Sequence, residues 1–284
     1  MVCKADLHIH TTNSDGTCTP EEVVCEAVNK GLSAIAITDH DITDGIEDAL
    51  KAGAKQGIEV IPGIELSCEY NGEQIHMLGF YINWENSWFQ EKLDVFQKAR
   101  RRRGREIIKK FSGIGIDINK EELFSRASEG SLSRIHFARY LVEKGFANTI
   151  SEGFGKYLEE GKPAFVKKLR ITPQEALSMI HRVGGVSVIA HPVFGGRHKA
   201  FLKKMKRLGL CGIEVYHPEQ DSSQSKRLKE IACELGLVVT GGSDSHGKEK
   251  EENPVGSVSL DYRYVKNLKK LKADKEKKNK CIMK

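Results

Sequence analysis

Short apolar runs recur along this chain, and most of them end on a histidine or a carboxylate. The first is Ala5-Asp6-Leu7-His8-Ile9-His10. In an extended chain alternate side chains share a face, so His8 and His10 point one way and Ile9 the other. Thr19-Pro20-Glu21-Glu22 then predicts a helix start, with a Thr cap, Pro at the first helical position and a Glu reaching back to the cap. Gly31 ends that helix. Ala34–Ile37 is a continuous apolar run, predicted to be a strand buried on both faces, and it leads to Asp39-His40-Asp41. A helix over 45–56 stops at Gly57, and a strand over 59–64 ends in Glu65. The segments 66–70 and 74–81 flank Asn71-Gly72, a turn dipeptide, which predicts a hairpin with His76 on its second arm.

From about residue 85 to 164 this alternation stops. The segments 88–111, 120–128, 134–144 and 150–159 all read as helices separated by glycine-containing breaks. The strand–helix rhythm returns with Thr172-Pro173-Gln174-Glu175, a second cap with Pro. Strand 186–190 ends in His191, strand 212–216 in His217, and strand 237–240 runs into Gly-Gly-Ser-Asp244-Ser-His246; helices over 198–208 and 222–235 lie between. The expected architecture is α/β: a β/α barrel over residues 1–84 and 165–265, interrupted by a helical insertion over 85–164 and followed by a tail over 266–284.

A length of 284 residues suits one such barrel. No apolar run approaches the roughly 20 residues that span a bilayer. Seven cysteines without a C-x-x-C pair argue against a disulfide framework or a zinc ribbon. With no signal-peptide pattern at the N-terminus, a reducing cytoplasm is the expected location. The net charge of +6 is uneven. From Lys266 onward nine lysines face Asp274 and Glu276, a local +7 that leaves about −1 for the rest. Such a tail is expected to be a solvated, frayed end, with weak nucleic-acid contact as the alternative. Arg100–Arg103 is expected to be a solvated helix face.

The residues at the strand ends carry the chemistry. His8, His10, Asp39, His40, Glu65, His191, His217, Asp244 and His246 recur at one structural position, the carboxyl end, where barrels build their active sites. Imidazole and carboxylate donors without thiolate suit Zn²⁺, Mn²⁺ or Fe²⁺. The set exceeds what one ion needs, so two or three divalent ions are expected. A cluster of that kind generates a hydroxide nucleophile and clamps the oxygens of a phosphoryl group.

Asp-Leu-His-Ile-His-Thr with Ser-Asp-Gly, then Ile-Thr-Asp-His, Gly-Ile-Glu, His76, Ala-His-Pro and Ser-Asp-Ser-His are spread in order over about residues 4–246. Together they resemble the polymerase and histidinol phosphatase (PHP) family. The resemblance implies a distorted seven-stranded, TIM-like barrel with a trinuclear metal site. One ion would take His8, His10, Glu65 and Asp244; a second Asp15, His40 and His246; a third Glu65, His76 and His191, with Glu65 bridging. Attack on phosphorus would come from a metal-bridging hydroxide, with Asp15, His40, Glu65 and His217 at the catalytic centre.

Ser133–Val142 further resembles a segment of PHP phosphoesterases that act on nucleotides. It implies removal of the 3′-phosphate of nucleoside 3′,5′-bisphosphates, or trimming of short RNA from its 5′ end, or hydrolysis of nucleoside monophosphates. Arg134, Arg197 and His217 would hold the substrate phosphate. A histidinol-phosphate-type phosphatase and a non-catalytic nucleic-acid-binding module are the competing readings. The complete donor set speaks against the second of these. No protein partner is suggested by the sequence.

Overall fold

The computed structural model describes residues 3–125, 132–192, 198–247 and 253–282. Arg197 and the expected helix end at Ser128 lie outside them. Eight strands form one curved sheet in the order β7-β6-β5-β4-β3-β2-β1-β8. They are β1 (Lys4–Ile9), β2 (Ala34–Ile37), β3 (Glu59–Tyr70), β4 (Glu73–Phe80), β5 (Val186–Ile189), β6 (Gly212–Tyr216), β7 (Val238–Gly241) and β8 (Leu260–Asp261). β1, β2 and β3 pair in parallel, as do β5, β6 and β7. β4 is antiparallel to both neighbours, because the Asn71-Gly72 hairpin returns the chain directly. The expected strands 59–64 and 66–70 are one continuous strand, β3. The expected strand count was seven; the eighth, β8, is a two-residue strand antiparallel to β1 and too short to leave a pattern in the sequence.

The sheet nearly closes on itself. The His10 N–H donates to the Ser245 carbonyl at 2.9 Å, which draws the end of β1 to the segment after β7. Gly242 makes the approach possible, since a Cβ there would meet the His8 backbone nitrogen at 2.4 Å. Asp6 fastens the same seam: its buried carboxylate accepts from the Ser243 and Gly256 N–H groups, at 2.9 and 2.8 Å.

Helices α1 (Pro20–Asn29) and α2 (Ile46–Gln56) cover one flank, and α7 (Pro173–Arg182), α8 (His198–Arg207) and α9 (Ser222–Leu235) the other. Between them run α3 (Ser87–Ser112), α4 (Lys120–Ser125), α5 (Arg134–Glu143) and α6 (Ile150–Gly153), the last continuing as a π-turn over Phe154–Leu158. The 26-residue α3 ties this layer to the barrel. Its first half buries Phe89 and Leu93 among barrel residues, and its second half buries Ile107, Ile108 and Phe111 in a separate cluster with Phe137 and Leu141 of α5.

The lysine-rich tail is not a frayed end. It forms α10 (Arg263–Ile282), which lies across the floor of the barrel. Tyr264, Val265 and Leu268 join the interior cluster with Leu7, Phe80 and Val188. Lys269 pairs with Glu59 at 2.7 Å, and Lys272 donates to the Gly184 carbonyl at 2.6 Å. Period-3.6 burial on one face, with lysine on the other, explains both its composition and its order.

Candidate active site

β1 delivers His8 and His10 to one point, as alternation requires, and both are fully buried. Glu65, in the middle of β3, is the hub. Five imidazoles lie within 3.4 Å of its carboxylate: His40 Nδ1 at 2.8, His76 Nδ1 at 2.9, His191 Nε2 at 3.0, His10 Nε2 at 3.3 and His8 Nε2 at 3.4 Å. Asp244 makes a second centre, with His10 Nε2 at 3.0, His8 Nε2 at 3.4 and His217 Nε2 at 3.5 Å. Asp15 makes a third, 3.4 Å from His246 and 3.9 Å from both His10 and His40.

Three sets of donor atoms fall within 4.8 Å of one another: His8, His10, Glu65 and Asp244; His10, Asp15, His40 and His246; and His40, Glu65 and His76. The third set contains His40 where the family resemblance suggested His191, although His191 and His76 approach the same Glu65 oxygen, Oε1, at 3.0 and 2.9 Å. All nine expected ligands are therefore brought together at one corner of the barrel rim. Their geometry fits divalent cations on a further observation. Asp15 Oδ1, His40 Nδ1, Glu65 Oε2, His76 Nδ1 and His217 Nε2 are all buried without a hydrogen-bond partner. Unpaired buried polar atoms cost about 1–3 kcal/mol each, and a convergent group of them is what a cation would satisfy.

The electrostatics set the same stage. Burial pushes the Asp15, Glu65 and Asp244 carboxyls up, but the surrounding histidines outweigh it and hold all three well below the usual carboxylate range. Burial lowers His40 to about 4, against the pull of Glu65 and Asp15. It is a neutral imidazole at physiological pH, the form that ligates a metal. For His10 burial again lowers the pKa, yet hydrogen bonds to Asp244 and Glu65 prevail and raise it to about 10. A bound cation would take the place of that proton.

Two candidate ligand positions are backbone-strained. His191 has φ +22° and Asp244 φ +50°, where non-glycine residues cost about 1–3 kcal/mol. Glu214 on β6 supplies the restraint for His191. Its buried carboxylate accepts the His191 N–H at 2.7 Å and lies 3.1 Å from His8 Nδ1, which turns His8 Nε2 toward the metal corner. Sequence reasoning missed Glu214, although a carboxylate inside the apolar run Gly-Ile-Glu-Val-Tyr is a readable anomaly. Asp39 is not aimed at the corner. It accepts from the Thr11 N–H, the Thr11 hydroxyl and the Ser14 hydroxyl, at 2.8, 2.7 and 2.5 Å, and so fixes the loop that carries Asp15.

Beside the metal corner opens a cavity of about 140 Å³ with a different lining. Asp15, His40 and His76 form one wall; Arg100, Arg103, Arg134, Lys168 and Arg170 supply the cations. Arg100 and Arg103 are buried, so the expected solvated face is wrong for these two. Their i, i+3 spacing turns both inward under α5, while Arg102 stays exposed. Arg100 and Lys168 share Asp41, at 2.5 and 3.1 Å, and Arg170 pairs with Glu69 at 3.2 Å. Arg103 gives its Nε–H to the Val166 carbonyl, and Arg134 donates to the Leu158 carbonyl, over the Phe154 ring. Among the described residues neither has a carboxylate at salt-bridge distance. Burial and the crowding of Arg134, Arg100 and Arg170 push Arg103 down to about 9. His217, buried at the far side by Asp244, accepts from the Glu219 N–H at 3.2 Å and does not line this cavity.

A barrel rim crowded with imidazole and carboxylate, next to a cationic cavity, belongs to a metal-dependent phosphoesterase. The comparisons agree: residues 6–151 match the model of the PHP domain, and the chain belongs to that family. It is 34% identical over 250 residues to the 5′-3′ exoribonuclease of Haemophilus influenzae, covering 87% of this chain and 91% of that protein. It is 31% identical over 263 residues to the 3′,5′-nucleoside bisphosphate phosphatase of Chromobacterium violaceum, covering 88% and 90%. The crystal structure of a protein assigned as a metal-dependent phosphoesterase from Bifidobacterium adolescentis superposes with a TM-score of 0.85 at 31% identity, over 93% of this chain and 94% of that one. No helix among the described residues is long and apolar enough to cross a membrane.

Proposed function

We propose that this enzyme hydrolyses the 3′-phosphoester of 5′-phosphorylated nucleotides, with nucleoside 3′,5′-bisphosphates as the first substrate. The observation that carries this reading is the pair Arg103 and Arg134 in the cavity beside His40 and His76, neither of them within salt-bridge distance of a carboxylate among the described residues, with Glu159 acting on Arg134 only from farther off. A planar fork of donors with no carboxylate partner suits a phosphate dianion. The 5′-phosphate would sit there, Phe154 and Ile135 would border the nucleoside, and the 3′-ester would reach the metal corner. Arg197 remains a proposed further contact, as does His217, whose Nε2 could pass a proton to the leaving oxygen.

The proposed ligands are His8, His10, Asp15, His40, Glu65, His76, His191, Asp244 and His246, holding two or three ions of Mn²⁺, Zn²⁺ or Fe²⁺. Such ions acidify a water and offset charge on the phosphoryl oxygens. The chain's own part is to fix those donors. β1 and β3 hold His8, His10 and Glu65 rigidly, and Glu214 keeps His8 in one tautomer. Asp41 joins the two halves: it follows His40 in sequence and anchors Arg100 and Lys168 of the cavity.

A second reading, 5′-to-3′ exoribonuclease action on short RNA, is favoured by a separate opening. A cavity of about 310 Å³ lies on the other side of His76, lined by Gln74, His191 and Pro192 among others. It offers room for a leaving nucleotide. The test is turnover of adenosine 3′,5′-bisphosphate and of a 5′-phosphorylated oligoribonucleotide with Mn²⁺ present. Phosphate and 5′-AMP from the first support the bisphosphate reading. Stepwise 5′-mononucleotides from the second, without the first, support the exonuclease. Equal turnover of substrates lacking the 5′-phosphate would overturn both.

A further inference from the structure

A second cluster of reactive side chains sits at the opposite end of β6 from His217, and phosphoester hydrolysis has no use for it. Cys211 immediately precedes β6 and its side chain is buried. Lys275 of α10 brings Nζ to 3.2 Å from Cys211 Sγ and donates to the Gly185 carbonyl at 3.3 Å. His181, near the end of α7, places Nε2 3.9 Å from the same sulfur and 3.0 Å from Ser187 Oγ. Gly209 leaves room for the imidazole. It has φ +101°, and a Cβ there would meet His181 Cε1 at 2.9 Å. One turn back along α10, Lys272 is tied to the Gly184 carbonyl, so the register of Lys275 against Cys211 is set twice.

The setting activates the thiol. Burial raises a thiol pKa, but the hydrogen bond from His181 and the charge of Lys275 outweigh it here and bring Cys211 down to about 6. Cys68 is the contrast: deeper burial, with Asp41 nearby, pushes its thiol well up. The lowered pKa favours the thiolate at neutral pH, with the Lys275 ammonium 3.2 Å away to balance its charge. The thiolate is the form that peroxides attack.

We propose that Cys211 and Lys275 form a peroxide-sensitive covalent strap between the barrel floor and the C-terminal helix. The thiolate attacks a hydroperoxide, giving a sulfenic acid and, from hydrogen peroxide, hydroxide. That hydroxide takes a proton from Lys275, which has just lost its counter-charge, and forms water. The free amine then displaces water from the sulfenic acid and leaves an S–N bond. Sulfur loses two electrons, the peroxide gains them, and two waters leave in total. The strap closes the chain from 211 to 275, and with it the helix that seals the core through Tyr264, Val265 and Leu268.

Treating the full-length protein with hydrogen peroxide at pH 7 and mapping its peptides tests the strap. The expected product is a Cys211–Lys275 linked pair, two hydrogens lighter than its parts, that dithiothreitol separates. Consumption of Cys211 should be about tenfold faster than that of the exposed Cys233, as its thiolate character requires. Lys275→Arg keeps the charge and removes the amine, so it should oxidise quickly, yield a dimedone-trappable sulfenic acid and give no link. Lys275→Met should oxidise slowly. Hydrolysis of phosphoesters by untreated Lys275→Arg should match the parent protein. Oxidation of Cys211 no faster than Cys233, or sulfenic acid without a link in the parent protein, would overturn the proposal.

Discussion

The metal corner and the cationic cavity share a wall yet are built in opposite ways. The corner takes its side chains from strands and the loops at their ends, where alternation and register fix most directions, and it brings six imidazoles together around Glu65, Asp244 and Asp15. The cavity takes its cations from helices and connecting segments far apart in the chain: Arg100 and Arg103 on α3, Arg134 on α5, Lys168 and Arg170 on the segment before α7. The corner collects oxygen and nitrogen ligands and so awaits cations. The cavity collects guanidinium and ammonium groups and so awaits an anion. On the proposed function the difference separates two tasks, activating the attack and choosing the substrate, and mutations should separate them as well.

The largest break is expected at Glu65→Gln. It removes the charge that five imidazoles share, so bound metal should fall and turnover should drop on the order of 10³-fold. Elemental analysis alongside kinetics checks this, with circular dichroism to establish that the fold persists. Arg103→Ala should leave metal content unchanged and lower kcat/KM for a 5′-phosphorylated substrate by about tenfold to a hundredfold, as loss of a charged hydrogen bond does. A 5′-hydroxyl analogue should be nearly insensitive; an equal loss on both would place Arg103 outside phosphate recognition. Glu214→Gln acts only through His8 and His191. Weakened metal affinity by about tenfold, measured by chelator competition, is the expected result.

The smallest effect is a pH dependence that belongs to the cavity alone. Burial and the neighbouring Arg100 lower Lys168 to about 8, with Asp41 pulling the other way. Lys168 is charged below that pH and neutral above it. Its contribution to anion binding is therefore complete below pH 8 and lost as the pH rises through it. KM for the 5′-phosphorylated substrate should climb severalfold between about pH 7 and 9, and Lys168→Arg should flatten the climb.

The two regions were unequally legible in the sequence. Most of the corner could be read because its candidate ligands close local patterns, such as His8-Ile9-His10 at a strand end or Asp244 after two glycines, whereas His76, inside a hairpin arm, came only with the family resemblance. The cavity could not, because four consecutive arginines look alike until α5 and the segment at 165–170 cover two of them. Glu214 was passed over as part of a strand. The strands and most helices followed the hydrophobic periodicity closely, while β8 was too short to show. The tail misled for a physical reason: its nine lysines masked the stripe Tyr264, Val265, Leu268 that docks it. Arg134, singled out through the family resemblance, lines the cavity together with cations the sequence reading did not group with it.

The seam between β1 and the Ser245 segment has a consequence for the birth of the protein. His8 and His10 leave the ribosome more than 230 residues ahead of Asp244 and His246. At bacterial-like elongation rates this separation is roughly ten to fifty seconds. Over that interval the first donors have no complete set of partners. Metal capture is therefore a late event, and the same wrap of the chain that seals the seam also primes the enzyme.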